Sequence, residues 1–189
     1  MKFTETSIPG LIIFEPKIWG DDRGYFFESY NENSFKEAGI TATFVQDNQS
    51  SSGYGVLRGL HYQTGDFAQA KLVRVLSGEV LDVVVDIREG SPTYGQSFSI
   101  LLSEANKKQM FIPRGFAHGF VVLSEQAVFY YKCDNFYSKE SEGGILFNDP
   151  QLKIDWQVLP EKMILSEKDK VNPLFGDHLK FYTKDKSNK

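Results

Sequence analysis

Gly78-Glu-Val-Leu-Asp-Val-Val-Val-Asp-Ile-Arg88 is the stretch on which the fold turns. In an extended chain Leu81, Val83, Val85 and Ile87 fall on one face, and Asp82, Val84, Asp86 and Arg88 on the other. The run is rich in β-branched residues and ends in the turn signal Arg88-Glu-Gly-Ser-Pro92, so it reads as a strand. Similar runs lie on both sides. Upstream are Leu11-Ile-Ile-Phe14, Gly24-Tyr-Phe-Phe-Glu-Ser-Tyr30 and Lys71-Leu-Val-Arg-Val-Leu76. Downstream are Gly95–Leu102, Gln109-Met-Phe-Ile112, Ala117–Leu123 and Ala127–Cys133. Helix signals are few. Ser34-Phe-Lys-Glu37 has the form of a capping box, with Gly39 as a stop. Ser166-Glu-Lys-Asp169 reads as a second helix start. Many short strands punctuated by turns predict an antiparallel sandwich or barrel, closed as a jelly roll to manage exposed edges.

The composition sets outer bounds. A chain of 189 residues hides about 70% of its unfolded surface on folding, enough for one sizeable core. No internal repeat or linker divides it, so a single domain is expected over residues 1–183. The polar run 184–189 reads as a frayed tail. Aromatics reach 14%, with 16 Phe, a surplus that suggests rings facing a ligand or a partner subunit. A net charge of -4 argues against nucleic acid, which wants a basic patch. One cysteine, Cys133, excludes an internal disulfide and suits a reducing compartment. The first residues show no apolar targeting region, and no window has the 18 or so apolar residues of a membrane span. A cytoplasmic location is the expectation.

Chemistry concentrates in Gly55-Val-Leu-Arg-Gly-Leu-His-Tyr-Gln63. Arg58 and His61 stand three residues apart, and Lys71 follows after a short turn. One imidazole that titrates near neutrality beside two cations suits removal of a proton from an anionic substrate. Lys71 is a candidate for holding charge on a developing oxyanion. Tyr131 is a candidate for returning a proton from another direction. Strand alternation puts Tyr130 and Tyr131 on opposite faces and Gln46 and Asn48 on the same face. Other residues stay open to plain readings. Asp169 suits the first turn of a helix, where the dipole favours a carboxylate. Arg23 after Asp21 and Asp22 is open to being a surface ion pair. His118 is open to a structural role, held by Asp82 or a backbone carbonyl. His178 reads as a solvated turn histidine and Cys133 as a small core residue.

Gly55–Gln63 and Pro113-Arg-Gly-Phe-Ala-His118 resemble the two motifs of the cupin superfamily. That resemblance implies an all-β, cupin-type double-stranded β-helix (jelly roll) with a few short flanking helices. Metal-binding cupins carry a second histidine where this chain has Gln63. His61 and His118 alone do not make the three or four ligands that zinc or iron wants. A metal-free site, with His61 as a base, is therefore expected, and no cofactor.

The resemblance narrows further. Asp21-Asp-Arg-Gly-Tyr-Phe-Phe-Glu28, Phe44–Ser50, Gly55–Gln63, Lys71-Leu-Val-Arg74, Ile112–Phe120, Ser138–Gly144 and Leu165-Ser-Glu-Lys-Asp169 resemble, in order, the dTDP-4-dehydrorhamnose 3,5-epimerase family. It implies that His61 is the base at C5 and C3 of a 4-keto sugar nucleotide. It implies Asp169 as the carboxylate orienting that base, Lys71 as the cation beside the enolate oxygen and Tyr131 as the proton donor. Gln46, Asp47, Asn48, Arg58, His118, Glu142 and Lys168 match substrate contacts. Arg23 and Glu28 match nucleotide-binding groups supplied across a homodimer, and Phe26 or Tyr137 suits stacking on thymine. Alternatives on the same scaffold are a single-site epimerase, a 3,4-ketoisomerase, a sugar-nucleotide-binding module without turnover, or a metal-dependent cupin enzyme.

Overall fold

The computed structural model describes residues 1–183; the tail expected at 184–189 lies outside the described residues. The strands are β1 Lys2–Glu5, β2 Ile12–Glu15, β3 Trp19–Asp21, β4 Gly24–Phe26, β5 Gln46–Gly53, β6 Leu57–Gln63 and β7 Lys71–Ser77. They continue as β8 Glu79–Asp86, β9 Ser97–Ser103, β10 Gln109–Ile112, β11 Phe116–Val122, β12 Gln126–Cys133 and β13 Glu142–Gly144. Two antiparallel sheets face each other, in the orders β1-β2-β10-β7-β12-β5 and β13-β6-β11-β8-β9, and β3 and β4 form a separate hairpin. This is the expected cupin-like jelly roll. Among the described residues no helix is long and apolar enough to cross a membrane.

The two faces of β8 explain the packing. Val80 and Val84 point between the sheets, against Val73, Met110, Phe116 and Phe129. Leu81, Val83, Val85 and Ile87 point the other way, beneath Leu152, Trp156, Val158 and Phe175. The C-terminal third of the chain therefore roofs the outer face of this sheet. Each such side chain contributes about 1.5–3 kcal/mol of transfer free energy when fully buried. The acid-bearing face of β8 meets no water either: Asp82 and Asp86 are 0% exposed. Asp86 is satisfied by Arg88, Ser91 and Thr93, which hold its carboxyl down at about 2 against the effect of burial.

Two local expectations change. The helix α1, Glu32–Glu37, is capped by Asn31, whose side-chain oxygen accepts from the Asn33 and Ser34 N–H groups at 3.1 and 3.3 Å. Ser34 thus lies inside the helix rather than at its cap. The second helix start yields only a single 3-10 turn, Asp169–Val171. The strand expected over Gly24–Tyr30 stops at Phe26. Beyond it Tyr30 packs on Phe35 and Phe44, with ring centroids 5.0 and 5.5 Å apart.

The joint between β6 and β11 positions the site. His61 and His118 are direct cross-strand partners, and the register shifts between His118 and Phe120. The chains touch there through two glycines. A Cβ on Gly119 would stand 2.7 Å from the Arg58 carbonyl oxygen and 3.1 Å from the Gly59 Cα. Backbone on both sides leaves nothing soft to yield. Gly119→Ala is expected to destabilise the fold by about 1–3 kcal/mol, read as a fall in the urea midpoint. An unchanged midpoint would show that the joint can open.

Candidate active site

A cavity of about 560 Å³ opens between the sheets. The five-stranded sheet supplies Arg58 and His61 from β6 and His118 from β11. The six-stranded sheet supplies Asn48 from β5, Lys71 from β7 and Tyr131 from β12. The segment before the last 3-10 turn adds Ser166, Lys168 and Asp169. Phe120 and Phe129 make the apolar wall, stacked with centroids 4.2 Å apart.

Two imidazole–carboxylate pairs stand side by side. His61 Nε2 lies 2.5 Å from Asp169 Oδ1. Asp169 is 3% exposed. Burial pushes its carboxyl up. The His61 imidazole, the Ser166 hydroxyl and the Gly59 N–H outweigh that and hold it below the usual carboxylate range. An ionised Asp169 requires Nε2 to donate, which leaves the lone pair of His61 on Nδ1. Asp169 thus satisfies both of its sequence readings, as a first-turn carboxylate and as the partner of a histidine. In the second pair His118 Nε2 lies 3.0 Å from both Asp82 oxygens. Burial pushes the Asp82 carboxyl up, and His118 opposes it.

Lys71 and Tyr131 face these pairs. The Lys71 ammonium lies 5.8 Å from the centre of the Tyr131 ring. It makes no ion pair within 4.0 Å among the described residues. Burial pushes it well down, partly offset by Cys133, Asp82 and Glu142. A cation so placed, with no carboxylate in contact, favours an incoming anion. Burial pushes the Tyr131 phenol up, so it stays protonated as a donor must. Tyr130 points the other way and donates to Asp47 at 2.7 Å, as alternation requires.

The remaining candidates divide. Arg58 donates Nε and Nη2 to Ser52 Oγ at 3.2 and 3.1 Å, which fixes the guanidinium at the cavity edge. Gln46 donates to Asn48 at 3.0 Å on the inner side of β5. Asp47 lies on the outer side, bound to Tyr130 and Lys132, because consecutive strand residues oppose each other. Its carboxylate is not among the cavity groups. Glu142 bridges to Lys168 at 2.5 Å and accepts from Tyr137 at 3.1 Å. Burial raises its carboxyl, and Lys168 more than reverses that. Arg23 and Phe26 stand away from the cavity on the β3–β4 hairpin, where Arg23 pairs with Asp21. Glu28, also outside the cavity lining, accepts from Asn31 at 3.1 Å.

His178 is not solvated. It is buried, stacks on Phe175 at 5.1 Å and accepts from the Gly176 N–H. Burial lowers its pKa. Gln63 turns its carbonyl to the Ser138 N–H at 2.9 Å. Among the described residues no group of three or more His, Cys, Asp or Glu converges as metal ligands would. Ser52 carries no signal in the sequence because a serine gives no periodicity, and Ser166 reads only as a helix start.

The lowered carboxyl of Asp169 has a pH consequence. Its folded value lies below the unfolded one of about 3.9. The pairing therefore adds stability above that pH and loses it as pH falls through the lower folded value. Asp169→Asn should flatten this limb, read as unfolding free energy in urea from about pH 5 to about pH 2. An acid limb as steep as that of the unaltered protein would count against the His61–Asp169 pairing.

Residues 5–177 match the family model described as dTDP-4-dehydrorhamnose 3,5-epimerase. The chain is 58% identical over 178 residues to the dTDP-4-dehydrorhamnose 3,5-epimerase of Pseudomonas aeruginosa, covering 94% of this chain and 97% of that one. A crystal structure of the dTDP-4-dehydrorhamnose 3,5-epimerase of Elizabethkingia anophelis superposes with a TM-score of 0.91 at 58% identity, over 94% of this chain and 97% of that one. A structure of the Legionella pneumophila dTDP-6-deoxy-D-glucose-3,5-epimerase, in complex with dTDP-4-keto-L-rhamnose, gives 0.89 at 55% identity over 93% of each chain. With His61, Lys71 and Tyr131 lining one cavity, and with relatives of this identity along almost its whole length, the chain belongs to the dTDP-4-dehydrorhamnose 3,5-epimerase family.

Proposed function

We propose that this enzyme inverts C3 and C5 of dTDP-4-dehydro-6-deoxy-D-glucose to give dTDP-4-dehydro-L-rhamnose. The observation that carries the reading is that the His61–Asp169 pair and the Lys71–Tyr131 pair line the same cavity from opposite sheets.

The C4 ketone acidifies the C–H bonds at C3 and C5. His61 Nδ1 takes the proton, and ionised Asp169 stabilises the imidazolium that forms. Electrons move to the C4 oxygen. Lys71, desolvated beside an aromatic wall, stabilises that enolate more strongly than it would in water. Tyr131 returns a proton to the other face of the carbon, and solvent resets both groups. These residues supply base, cation and acid, so the reaction as written takes no metal and no cofactor.

Arg58 is suited to the diphosphate through its forked donors. Asn48, with Gln46 behind it, and His118 suit the sugar hydroxyls and the C4 oxygen. Glu142 and Lys168 stand at the mouth. Arg23, Glu28 and Phe26 complete the nucleotide subsite in a homodimer, each supplied by the partner subunit's hairpin. Support for that comes from Trp19, Tyr25 and Phe26, which are 46%, 58% and 66% exposed on one short hairpin, an apolar surface of the sort that marks an interface. The lone buried thiol of Cys133 suits a reducing, cytoplasmic setting. A deoxysugar nucleotide made there would feed surface polysaccharide.

Turnover in deuterium oxide tests the reading. Deuterium is expected at both C3 and C5 of the product. Label at one carbon alone would assign a single-site epimerase, and tight binding without label a non-catalytic module. His61→Ala should slow exchange at both carbons by about 10²–10⁴-fold. Tyr131→Phe should cut inversion by a similar factor while slowing proton removal less. Wild-type exchange in the His61 variant would place the base elsewhere.

A further inference from the structure

The Asp169 carboxylate reaches His61 from a segment with little regular structure. Its own turn is only three residues long. Upstream, Ile164 is tied to the start of β6: its carbonyl accepts from the Leu57 N–H at 2.9 Å, and its N–H donates to the Gly55 carbonyl at 2.9 Å. Between that anchor and Asp169 the chain closes on one residue. Ser166 accepts the Asp169 N–H through its backbone carbonyl at 3.1 Å and through Oγ at 3.2 Å. Its carbonyl also accepts the Lys170 N–H at 3.3 Å. Ser166 lines the cavity beside Asp169 and His61.

We propose that Ser166 is a positioning residue of the proton-transfer pair, with its hydroxyl fixing Asp169 in the orientation that meets His61. The geometry gives the hydroxyl two uses at once. Its lone pair holds the Asp169 backbone, and its proton is free to bond the carboxylate. The hydroxyl also helps to hold that carboxyl in its ionised form. A three-residue turn has few backbone hydrogen bonds to hold it, so a side-chain hydroxyl that bonds its backbone contributes more to its position. The Gly59 N–H, on the strand that carries His61, also favours the ionised carboxyl of Asp169. The geometric hold on Asp169 comes from Ser166, through its hydroxyl and its carbonyl. A tenfold loss on removing the hydroxyl is the scale of one hydrogen bond to a charged group.

This assignment rests on the epimerase reading above, and the experiment separates the two. Wild type, Ser166→Ala, Ser166→Thr, Asp169→Asn and the Ser166→Ala/Asp169→Asn double variant are assayed with the 4-keto sugar nucleotide. Absence of wild-type turnover removes the epimerase reading and this inference with it. With wild-type turnover present, Ser166→Ala should lower kcat about tenfold with KM within about twofold. Ser166→Thr, which keeps the hydroxyl, should restore kcat to within about twofold of wild type. In the Asp169→Asn background Ser166→Ala should add nothing, because it acts through that carboxylate. A wild-type kcat in Ser166→Ala, a loss confined to KM, or an equal further loss in the Asp169→Asn background would each overturn the positioning role and leave the epimerase reading standing.

Discussion

The β6–β11 ladder can close only where two backbones pass with no side chain between them. Gly59 and Gly119 make that passage, with Gly59 at φ +136 and its Cβ position 2.5 Å from the Gly119 Cα. Much of the site follows from this contact. It places His61 opposite His118. The next ladder sets His118 opposite Val84 and Phe120 opposite Asp82. Asp82 then lies diagonally within reach of the His118 ring, on the inward face of a strand whose outward face carries Leu81, Val83 and Val85. Side chains on either glycine would force the strands apart and move both imidazoles at once.

Electrostatics then divides the two histidines by partner. Asp169 arrives from 108 residues away in sequence and is held ionised by donors on two sides. Asp82 sits in the middle of a sheet, where burial pushes its carboxyl up. One imidazole is backed by a carboxylate that stabilises its protonated form. The other is locked by two contacts of equal length to a carboxylate with less claim to charge. The proposed mechanism accordingly assigns proton transfer to the first pair and fixed hydrogen bonding to the second, although His61, Asp169 and His118 all line one cavity.

Strand patterning recovered β2 and β7 to β12, but the polar β5 and the glycine-broken β6 were not read as strands. It also separated Tyr130 from Tyr131 and put Gln46 and Asn48 together. It did not show that β8 is covered on both faces, since the cover is the irregular segment around Leu152, Trp156, Val158 and Phe175, which has no period to read. The same cover buries His178, whose sequence neighbours Gly176 and Asp177 read as a turn in water. The Asn31 cap was hidden because Ser34 and Glu37 mimic a capping box three residues later. Asp169 was legible only through family resemblance, as no local rule links a turn aspartate to a histidine on a distant strand. Arg23, Glu28 and Phe26 stand outside the cavity of one chain, so spacing along that chain had no means of joining them to it.

The two sheets divide the chemistry as well as the core. His61 belongs to the five-stranded sheet, and Lys71 and Tyr131 to the six-stranded one. Facing sheets pack about 10 Å apart, a gap that side chains from both walls narrow to the thickness of a sugar ring. A ring lying in that gap presents one face to each sheet. In the proposed mechanism His61 on one wall and Tyr131 on the other act on opposite faces of the same carbon, and the carbon inverts. The Cys133↔Lys71 and Tyr131↔Asn48 pairings fix cation and acid on the second wall. In the proposed mechanism the desolvation that disfavours the Lys71 ammonium is offset when an enolate oxygen forms beside it. On the proposed mechanism, inversion follows from placing His61 and Tyr131 on opposite sheets.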